Sequence, residues 1–271
     1  MLYFISTPIG NLNDISLRAI DVIRSSDYLY AEDTRVTKKL LNFIDCDIKC
    51  KAFHEHNENE VSIEIINKIK DKKTVSIVSD AGTPCISDPG YKLIQECTKQ
   101  SINYTSIPGP SSVINAIVLS GLPTDKFSFF GFMPRKKGEQ EICFENINSD
   151  SKTAIFFESA KRLKKTISNL NTVLGPKRKI SICREMTKLH EQVIRGNIGE
   201  VLDNIKKDKI LLKGEIVLVI EGSEKKHSDY VLNPKIRKDF LKKLSPPEAA
   251  KLISIVTGKN KREIYKYLIE T

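Results

Sequence analysis

The sequence lacks the patterns of several common protein classes. Its six cysteines form no C-x-x-C pair, which argues against a zinc knuckle or a redox motif, and free thiols are the default in a cytosolic protein. No apolar run approaches the roughly 18 residues that a membrane-spanning helix needs. The start of the chain, MLYFISTPIG, has no basic segment, so we expect no signal peptide, no membrane partner and a cytoplasmic location.

Two nucleotide-binding signatures are also missing. Neither G-x-G-x-x-G nor G-x-x-x-x-G-K-[ST] occurs, which argues against the standard dinucleotide and P-loop sites. His54 and His56 could ligate a metal, but no complementary ligand cluster stands out. A polar turn that faces solvent or substrate is the alternative, so no metal site is predicted. The surrounding segment HEHNENE, residues 54–60, is a candidate frame for a substrate entrance.

The composition describes a globular protein with a basic tail. With 271 residues, the chain is long enough to bury a core without disulfides. Its content of 40% hydrophobic and 29% charged residues is typical of a globular protein. The net charge of +10 points to a polyanionic partner. Residues 225–271 hold twelve basic and five acidic residues, a net charge of +7, so most of the excess lies in this tail.

Short apolar segments alternate with helical ones, which predicts an α/β fold. Strands are predicted at residues 2–6, 28–31, 74–79, 103–107, 127–132, 153–157, 179–183 and 215–220. Helices are predicted at residues 16–25, 60–70, 91–99, 111–120 and 160–170. The segment GLPTDK is a plausible domain junction, and the strands are expected to stop after Ser223. We therefore expect α/β domains at residues 1–120 and 121–223 and a helical tail at residues 234–271.

Four loops that follow the first four predicted strands are rich in turn residues. They read TPIGNLND, AEDTR, SDAGTPCISDPG and PGPSS. In an open α/β sheet such loops gather at the carboxyl edge, where ligands bind. Glycine admits a ligand to the backbone, and the N–H groups that open the SSVINAI helix could hold a carboxylate or phosphate. Any one loop could be merely structural. Together they suit a ligand with a carboxylate, a ribose and a flat ring.

Seven motifs run in the order of one family. The four loops are followed by GFMPRKKGE, RE-TKLHE and KGEIVLVIEG. Over nearly its whole length the chain resembles the ribosomal RNA small subunit methyltransferase I family, in the tetrapyrrole methylase superfamily. SDAGTP-x-ISDPG with AEDTR is the most specific part of the match, and PGPSS and GEIVLVIEG are shared more widely in the superfamily.

The resemblance implies a homodimer of chains with two unlike α/β domains and S-adenosylmethionine folded up in the cleft between them. It also implies 2′-O-ribose methylation of a decoding-centre cytidine, in free 16S rRNA or in the small ribosomal subunit. Arg184 would lie near the cofactor. Carried over by position, the cofactor-binding residues are Pro8, Ile9, Gly82, Thr83, Ile86, Ser111, Ser112, Phe157, Gly214 and Glu215.

The chain departs from the family pattern at a few positions. Cys85 stands where glycine or leucine is more usual, which would trim the pocket without closing it. Ala160 and Lys161 stand in place of the Pro-His of a Glu-Ser-Pro-His-Arg motif, which leaves the catalytic details of that loop open. The second serine of PGPSS, in place of alanine, is a minor change.

Methyl transfer to a ribose oxygen needs mainly alignment. A base near the weakly acidic 2′-hydroxyl, or a cation that stabilises developing negative charge, would help. The candidates form two groups, one at the tip of the second strand and one in the second domain: Glu32, Asp33 and Arg35, and Glu158, Arg184 and Glu185. The alternative role is structural, as an inter-loop salt bridge between the two groups.

Contacts with RNA are predicted at two basic regions, the loop MPRKKGE and the C-terminal tail. The alternative for the loop is a solvated basic loop, and the alternative for the tail is a helical pair that merely covers the second domain. In the tail, two short helices across the turn TGKNK resemble a helix-turn-helix unit, with Ala249, Leu252, Ile253 and Val256 on the apolar face of the first and Ile264, Tyr265 and Leu268 turned toward it. The basic residues are Arg135, Lys136 and Lys137 in the loop, and Lys259, Lys261, Arg262 and Lys266 in the tail.

Two other functions stay open at this point. A methyltransferase of the same superfamily that acts on a tetrapyrrole-like small molecule would share the fold and the cofactor. The basic tail and AEDTR argue against it, because a small substrate needs no appendage of that charge. An inactive RNA-binding relative is the other alternative, and the intact cofactor loops argue against it.

Overall fold

The computed structural model describes residues 1–208, 210, 212–223, 234–257 and 260–269. The chain divides into two compact units. One comprises Met1–Phe144 and Lys152–Glu221, and the other comprises Glu145–Ser151 and Gly222–Thr271. The larger unit contains two five-stranded sheets, and the domain boundaries expected from the sequence stay predictions. Within the described ranges, no helix is both long enough and apolar enough to cross a membrane.

The first sheet is parallel throughout, with the strand order β3-β2-β4-β1-β5. Its central strand β4 is buried along its whole length, as expected for a parallel strand that is covered on both faces. Because all five strands run the same way, the loops that follow them share one carboxyl edge. The strands are β1 (Leu2–Ile5), β2 (Tyr28–Ala31), β3 (Cys50–Ala52), β4 (Val75–Val78) and β5 (Tyr104–Ile107).

Five helices accompany this sheet, and one of them corrects the sequence prediction. AEDTR is not a simple loop, because helix α2 begins at Thr34 and the side chain of Asp33 caps it by accepting the N–H of Arg35. Neither helix α2 nor strand β3 was predicted from the sequence. The helices are α1 (Leu17–Ser25), α2 (Thr34–Phe43), α3 (Glu58–Lys70), α4 (Tyr91–Lys99) and α5 (Ser112–Ser120).

The second sheet is mixed, with the order β6-β7-β10-β8-β9. Strand β6 pairs with β7 in parallel, and the other pairs are antiparallel. Strand β9 at the edge was not predicted, since QVIRGN has a weak apolar pattern and owes its place to pairing with β8. The strands are β6 (Phe127–Phe132), β7 (Thr153–Ser159), β8 (Lys179–Arg184), β9 (Gln192–Asn197) and β10 (Glu215–Ile220).

Three helices belong to this part of the chain: α6 (Lys137–Ser149), α7 (Ala160–Leu174) and α8 (Ile198–Lys206). Helices α6 and α8 were not predicted. Helix α5 packs on the second sheet, where Val113, Ala116 and Ile117 share a buried cluster with Val217 and Val219 of β10. This packing brings the start of α5, at the carboxyl edge of the first sheet, next to the second sheet.

The C-terminal unit holds helices α9 (Pro234–Leu241), α10 (Pro246–Thr257) and α11 (Lys261–Ile269). Ser245 precedes α10, and its N–H and hydroxyl both donate to the carboxylate of Glu248, as in a helix cap. The buried cluster of this unit consists of Ala249, Ala250, Ile253, Ile264 and Leu268.

Two of the predicted apolar contacts in this unit are wrong. Leu252 is 45% exposed and Tyr265 is 39% exposed. The buried face of α10 is centred between Ala249 and Ile253 and includes Ala250, so Leu252 points away from it by roughly a quarter of a turn or more. The side chain of Val256, together with Gly258 and Lys259, lies outside the described residues.

Candidate functional site

A cavity of about 340 Å³ lies at the carboxyl edge of the first sheet, within the size range of small-molecule sites. All four loops predicted to gather there reach it, and residues of the second sheet form its other wall. The first-sheet side consists of Ile9, Glu32, Asp80, Ala81, Gly82, Thr83, Ile86, Asp88, Ser111, Ser112 and Val113. The other wall consists of Phe132, Phe157, Glu158, Met186, Glu215, Ile216 and Val217.

Two backbone hydrogen bonds join the loop SDAGTPCISDPG to the loop that follows β1. The N–H of Thr7 donates to the carbonyl of Gly82 at 2.9 Å, and the N–H of Gly82 donates to the carbonyl of Thr7 at 3.0 Å. The hydroxyls of Ser6 and Thr83 are 3.0 Å apart. Gly82 has a φ of +82°, a conformation that favours glycine. The cavity therefore has a preformed backbone wall at this glycine.

Cys85, which departs from the family pattern, is not among the residues that line the cavity. Its side chain packs against a buried cluster that includes residues of strands β1, β2 and β4. Its sulfur occupies the space beside Gly90, where a Cβ would lie 2.6 Å from it. The expectation that Cys85 trims the cavity is therefore not supported by its position.

Three carboxyl groups line one side of the cavity. Burial and the nearby charges of Asp88, Asp80, Glu55 and Asp33 raise the pKa of Glu32 to about 7. Burial, with a contribution from Asp80, raises the pKa of Asp88 to about 6, and burial also raises the pKa of Asp80. A positively charged ligand would relieve this crowding of partly buried carboxyl groups. Asp80 and Asp88 were not predicted as site residues, although both aspartates stand in the most specific motif of the sequence.

The start of α5 forms a different part of the wall. The hydroxyl of Ser111 caps the helix by accepting the N–H of Ile114 at 3.4 Å, and Ser112 and Val113 line the cavity. N–H groups at a helix start suit an anion such as a carboxylate. Apolar side chains complete the wall, among them Phe157, whose ring packs against that of Phe132 with centroids 5.4 Å apart.

The structure separates the predicted cofactor-binding residues into two sets. Eight of them line the cavity: Ile9, Gly82, Thr83, Ile86, Ser111, Ser112, Phe157 and Glu215. Pro8 and Gly214 lie outside the lining. Gly214 has a φ of +87°, and a Cβ there would lie 2.5 Å from the carboxyl carbon of Glu185. Gly214 thus makes room for a carboxylate of the chain itself.

The first candidate catalytic group also has one member on the cavity lining and two members outside it. Glu32 lines the cavity, whereas Asp33 and Arg35 lie outside its lining. Asp33 and Arg35 form an ion pair of 2.6 Å, in which the Arg35 side chain is 89% exposed. Hydrogen bonds from Arg35 lower the pKa of Asp33 to about 2. The position of this pair fits a cap that holds α2, and with it Glu32, in place.

In the second candidate group, Glu158 lines the cavity and has a fully buried side chain. Its carboxylate accepts hydrogen bonds from the N–H of Ser159, the guanidinium of Arg162 and the hydroxyl of Thr166. Because these partners occupy both oxygens, Glu158 is held in one orientation.

Arg184 and Glu185 stand at the end of β8, outside the lining. Arg184 is buried and donates to the carbonyl of His190 at 3.3 Å. Glu185 accepts the N–H of Glu215 at 2.8 Å and pairs with Lys188 at 3.0 Å. Among the residues that the structure describes, no ion pair joins the two candidate groups.

The predicted RNA-binding residues that the structure describes lie on the surface. Lys136 and Lys137 make ion pairs with Glu139 and Glu141, at 3.3 and 3.5 Å. Lys259 lies outside the described residues. The remaining predicted residues are exposed: Arg135, Lys261, Arg262 and Lys266.

A second cavity of about 510 Å³ adjoins the first. The two share Glu32 and Asp88 as lining residues. Within the described ranges, no group of three His, Cys, Asp or Glu side chains is arranged to hold a metal ion. The rest of the second lining consists of His54, Glu55, His56, Glu58, Ser87, Pro89, Gly90, Tyr91 and Lys92.

The family model for Tetrapyrrole (Corrin/Porphyrin) Methylases matches residues 1–202. The chain belongs to the tetrapyrrole methylase family. Among solved structures of this fold, that of diphthine synthase matches 81% of this chain and 89% of its own, with a TM-score of 0.62 and 16% identity. The structure of uroporphyrin-III-C-methyltransferase from Thermus thermophilus matches 81% of this chain and 93% of its own, with a TM-score of 0.55 and 15% identity. These likenesses support the fold.

Within this family the chain groups with proteins named ribosomal RNA small subunit methyltransferase I. The one from Halalkalibacterium halodurans is 42% identical over 225 residues, which are 83% of this chain and 77% of that protein. The one from Escherichia coli O157:H7 is 36% identical over 270 residues, 99% of this chain and 94% of that protein. The one from Bacillus subtilis is 36% identical over 98% of this chain and 92% of that protein.

Proposed function

We propose that this methyltransferase uses S-adenosylmethionine to methylate the ribose 2′-oxygen of a decoding-centre cytidine in 16S rRNA. The name that its relatives carry supports a substrate in the small ribosomal subunit. The observation that carries the proposal is the composition of the first cavity, where five carboxyl groups, a helix start and apolar side chains line one space.

These linings fit S-adenosylmethionine part by part. Glu32, Asp80 and Asp88 suit its positively charged groups, and the start of α5 at Ser111 and Ser112 suits its carboxylate. Apolar side chains suit the adenine ring. When bound, S-adenosylmethionine supplies a methyl group on a positively charged sulfur, which leaves as a neutral sulfide. The residues that would hold it are the eight predicted residues on the lining, with Asp80 and Asp88 in addition.

Glu32 is the general base of this proposal. Its pKa of about 7 leaves a substantial ionised fraction at neutral pH, and a base works best when its pKa lies near the working pH. Its carboxylate would take the proton of the 2′-hydroxyl while that oxygen forms its bond to the methyl carbon. Asp33 and Arg35 would act by holding Glu32 in position. Glu158 would shape the opposite wall, with Arg184 and Glu185 holding the start of β10.

The partner in this proposal is RNA, bound by basic residues outside the cavity. Arg135, Lys261 and Arg262 are exposed and would contact phosphates of the RNA. A homodimer and a cytoplasmic location belong to the proposal as well. Light scattering of the purified protein at micromolar concentration tests the dimer.

Transfer of a labelled methyl group tests the proposed function. Small subunits from cells that lack the gene are incubated with the protein and tritiated S-adenosylmethionine. We expect label in 16S rRNA at one ribose, which makes the adjacent phosphodiester resistant to alkali. Free 16S rRNA in a parallel reaction distinguishes the naked transcript from the assembled subunit. Label on a base, or transfer to a tetrapyrrole without RNA, would contradict the proposal.

A further inference from the structure

We infer that the second cavity binds the target nucleoside and that Glu55 accepts a hydrogen bond from an amine on the edge of its base. The inference rests on the proposed function and adds to it a place for the acceptor and a source of base selectivity.

The position of Glu32 supports this place for the nucleoside. Glu32 and Asp88 line both cavities and so stand where the two adjoin. If the first cavity holds the methyl donor, the acceptor hydroxyl must lie within hydrogen-bonding reach of Glu32 and about 3–3.5 Å from the methyl carbon. The inference places the ribose in the second cavity, with its 2′-oxygen on the side of the methyl carbon opposite the sulfur, as in-line displacement requires. Glu55, in the second lining, lies near enough to contribute to the raised pKa of Glu32.

The charges of the second lining favour a base and a ribose over a phosphate. Glu32, Glu55, Glu58 and Asp88 are four carboxyl groups against the single lysine Lys92. Like charges repel, so the phosphates of the RNA would stay outside. The edge of a base that carries an exocyclic amine offers a donor to such carboxylates, as cytosine does with its N4 amine. Uracil presents a carbonyl oxygen at the same position, and a carboxylate repels this oxygen because both groups are hydrogen-bond acceptors.

Glu55 is available to a ligand, whereas Glu58 serves the fold. Glu58 is buried, accepts the N–H of Gly90 at 2.9 Å, and pairs with the ammonium of Lys92 at 3.6 Å. The Glu55 side chain is 81% exposed and lies 3.5 Å from the similarly exposed His56. The Glu55 carboxylate can therefore form a hydrogen bond to a base without breaking a buried contact.

Flat side chains accompany these carboxylates. Tyr91, the first residue of α4, is 64% exposed, and the rings of His54 and His56 lie edge to face with centroids 5.9 Å apart. Unstacked RNA bases stack on aromatic and histidine side chains in sequence-specific RNA recognition.

The segment that carries Glu55 is held on both sides. The N–H of His54 donates to the side chain of Asn57 at 2.9 Å, and that side chain donates to the carbonyl of Ala52 at 3.1 Å. Such a preformed turn loses little conformational entropy when a ligand binds.

The variants Glu55→Ala and Tyr91→Ala test the inference, with Glu60→Ala as the matched control. Glu60 is exposed on α3 and lies outside both linings. The substrates are small subunits from cells that lack the gene, with tritiated S-adenosylmethionine as donor. We expect the KM for subunits to rise about tenfold in each test variant, in keeping with a lost base contact. Affinity for S-adenosylmethionine, measured by calorimetry, should stay within about twofold in every variant.

A second measurement addresses selectivity. Subunits reconstituted with uridine at the methylated position are compared with the cytidine form. The wild type should prefer cytidine, and Glu55→Ala should reduce the ratio of the two kcat/KM values about tenfold. An unchanged ratio and an unchanged KM, with an active wild type, would overturn the inference and leave the proposed function standing. Loss of donor affinity in Glu55→Ala or Tyr91→Ala would also overturn it. A wild type that methylates no RNA would refute the proposed function, and the inference with it.

Discussion

The carboxylate of Asp80 accepts the backbone N–H of Asp33 at 2.9 Å. This bond ties the loop after β4 to the start of α2, and Glu32 directly precedes the residue that donates it. The same proximity places the Asp80 charge close enough to raise the pKa of Glu32. A hydrogen bond that orders two loops therefore also helps to set the proton affinity of the proposed base.

We predict that methyl transfer depends on the ionisation of Glu32. With a pKa of about 7, raised by burial and by Asp88, Asp80, Glu55 and Asp33, kcat should increase with pH and level off above about 7. Glu32→Gln should reduce kcat by about 100-fold or more and donor affinity by much less, because Asp80 and Asp88 still meet the positive charge of the donor. Single-turnover rates between pH 5 and 9 provide the measurement. Glu60→Gln is the control, and a pH-independent wild-type rate would contradict the assignment.

The ionisation of Glu32 should also change the free energy of unfolding. The pKa of Glu32 is raised from 4.5 to about 7 in the folded chain, so the folded state binds this proton more tightly than the unfolded state does. The contribution of Glu32 to stability is thus present below pH 4.5 and is lost as the pH rises to about 7. Glu32→Gln should stabilise the protein relative to wild type more at pH 8 than at pH 5. Urea denaturation at both pH values measures this difference, and equal differences would refute the shift.

Gly82→Val should abolish binding of S-adenosylmethionine while the fold survives. The φ of +82° strains a β-branched residue, and the added side chain starts 3.6 Å from Ile9 on the cavity wall. Gly138→Val is the control, because a Cβ there meets no atom within 4 Å. Calorimetry with S-adenosylmethionine and a circular dichroism spectrum of each variant provide the measurements. Undiminished affinity in Gly82→Val would remove this loop from the binding site.

Asp33→Ala and Arg35→Ala should reduce methyl transfer more than donor affinity. Asp33 caps α2 and pairs with Arg35 at 2.6 Å, so either change loosens the residue next to Glu32 without touching the lining. Asp33→Asn is the matched variant, since asparagine retains a cap and loses the charge. It should keep more activity than Asp33→Ala. Wild-type transfer rates in both alanine variants would show that this pair serves the fold alone.

Deletion of residues 234–271 should weaken RNA binding and flatten its salt dependence, with donor affinity unchanged. Each phosphate contact that is lost should reduce the log-log salt slope by roughly 0.7 to 0.9, because fewer counterions are released on binding. A triple change to alanine of the exposed Lys261, Arg262 and Lys266 keeps the helices and should give part of the effect. Filter binding from 50 to 200 mM salt provides the measurement. An unaltered slope would show that the tail does not contact RNA, and lost donor affinity would mean that it supports the catalytic fold.

The α/β alternation and the loops at the first cavity could be predicted from the amino-acid sequence alone. The strands of the first sheet other than β3 were predictable because they are short, apolar and bounded by turn residues. The motif SDAGTPCISDPG was conspicuous because turn chemistry depends on local residue types. Helix α2, by contrast, was hidden within AEDTR. Strands β3 and β9 have little apolar pattern of their own and owe their place to their neighbours.

Which residues of each motif line a cavity depends on the tertiary structure. Glu32 lines both cavities while its neighbour Asp33 caps a helix, although both carboxylates stand side by side in the sequence. Leu252 and Tyr265 are likewise exposed in the structure, although the apolar pattern of the sequence predicted that they would be buried. The pKa of Glu32 depends on burial and on charges from separate loops, and those distances exist only once the chain has folded. Local pattern therefore predicts elements and turns, whereas the direction of a side chain and its electrostatic surroundings depend on residues far away in the chain.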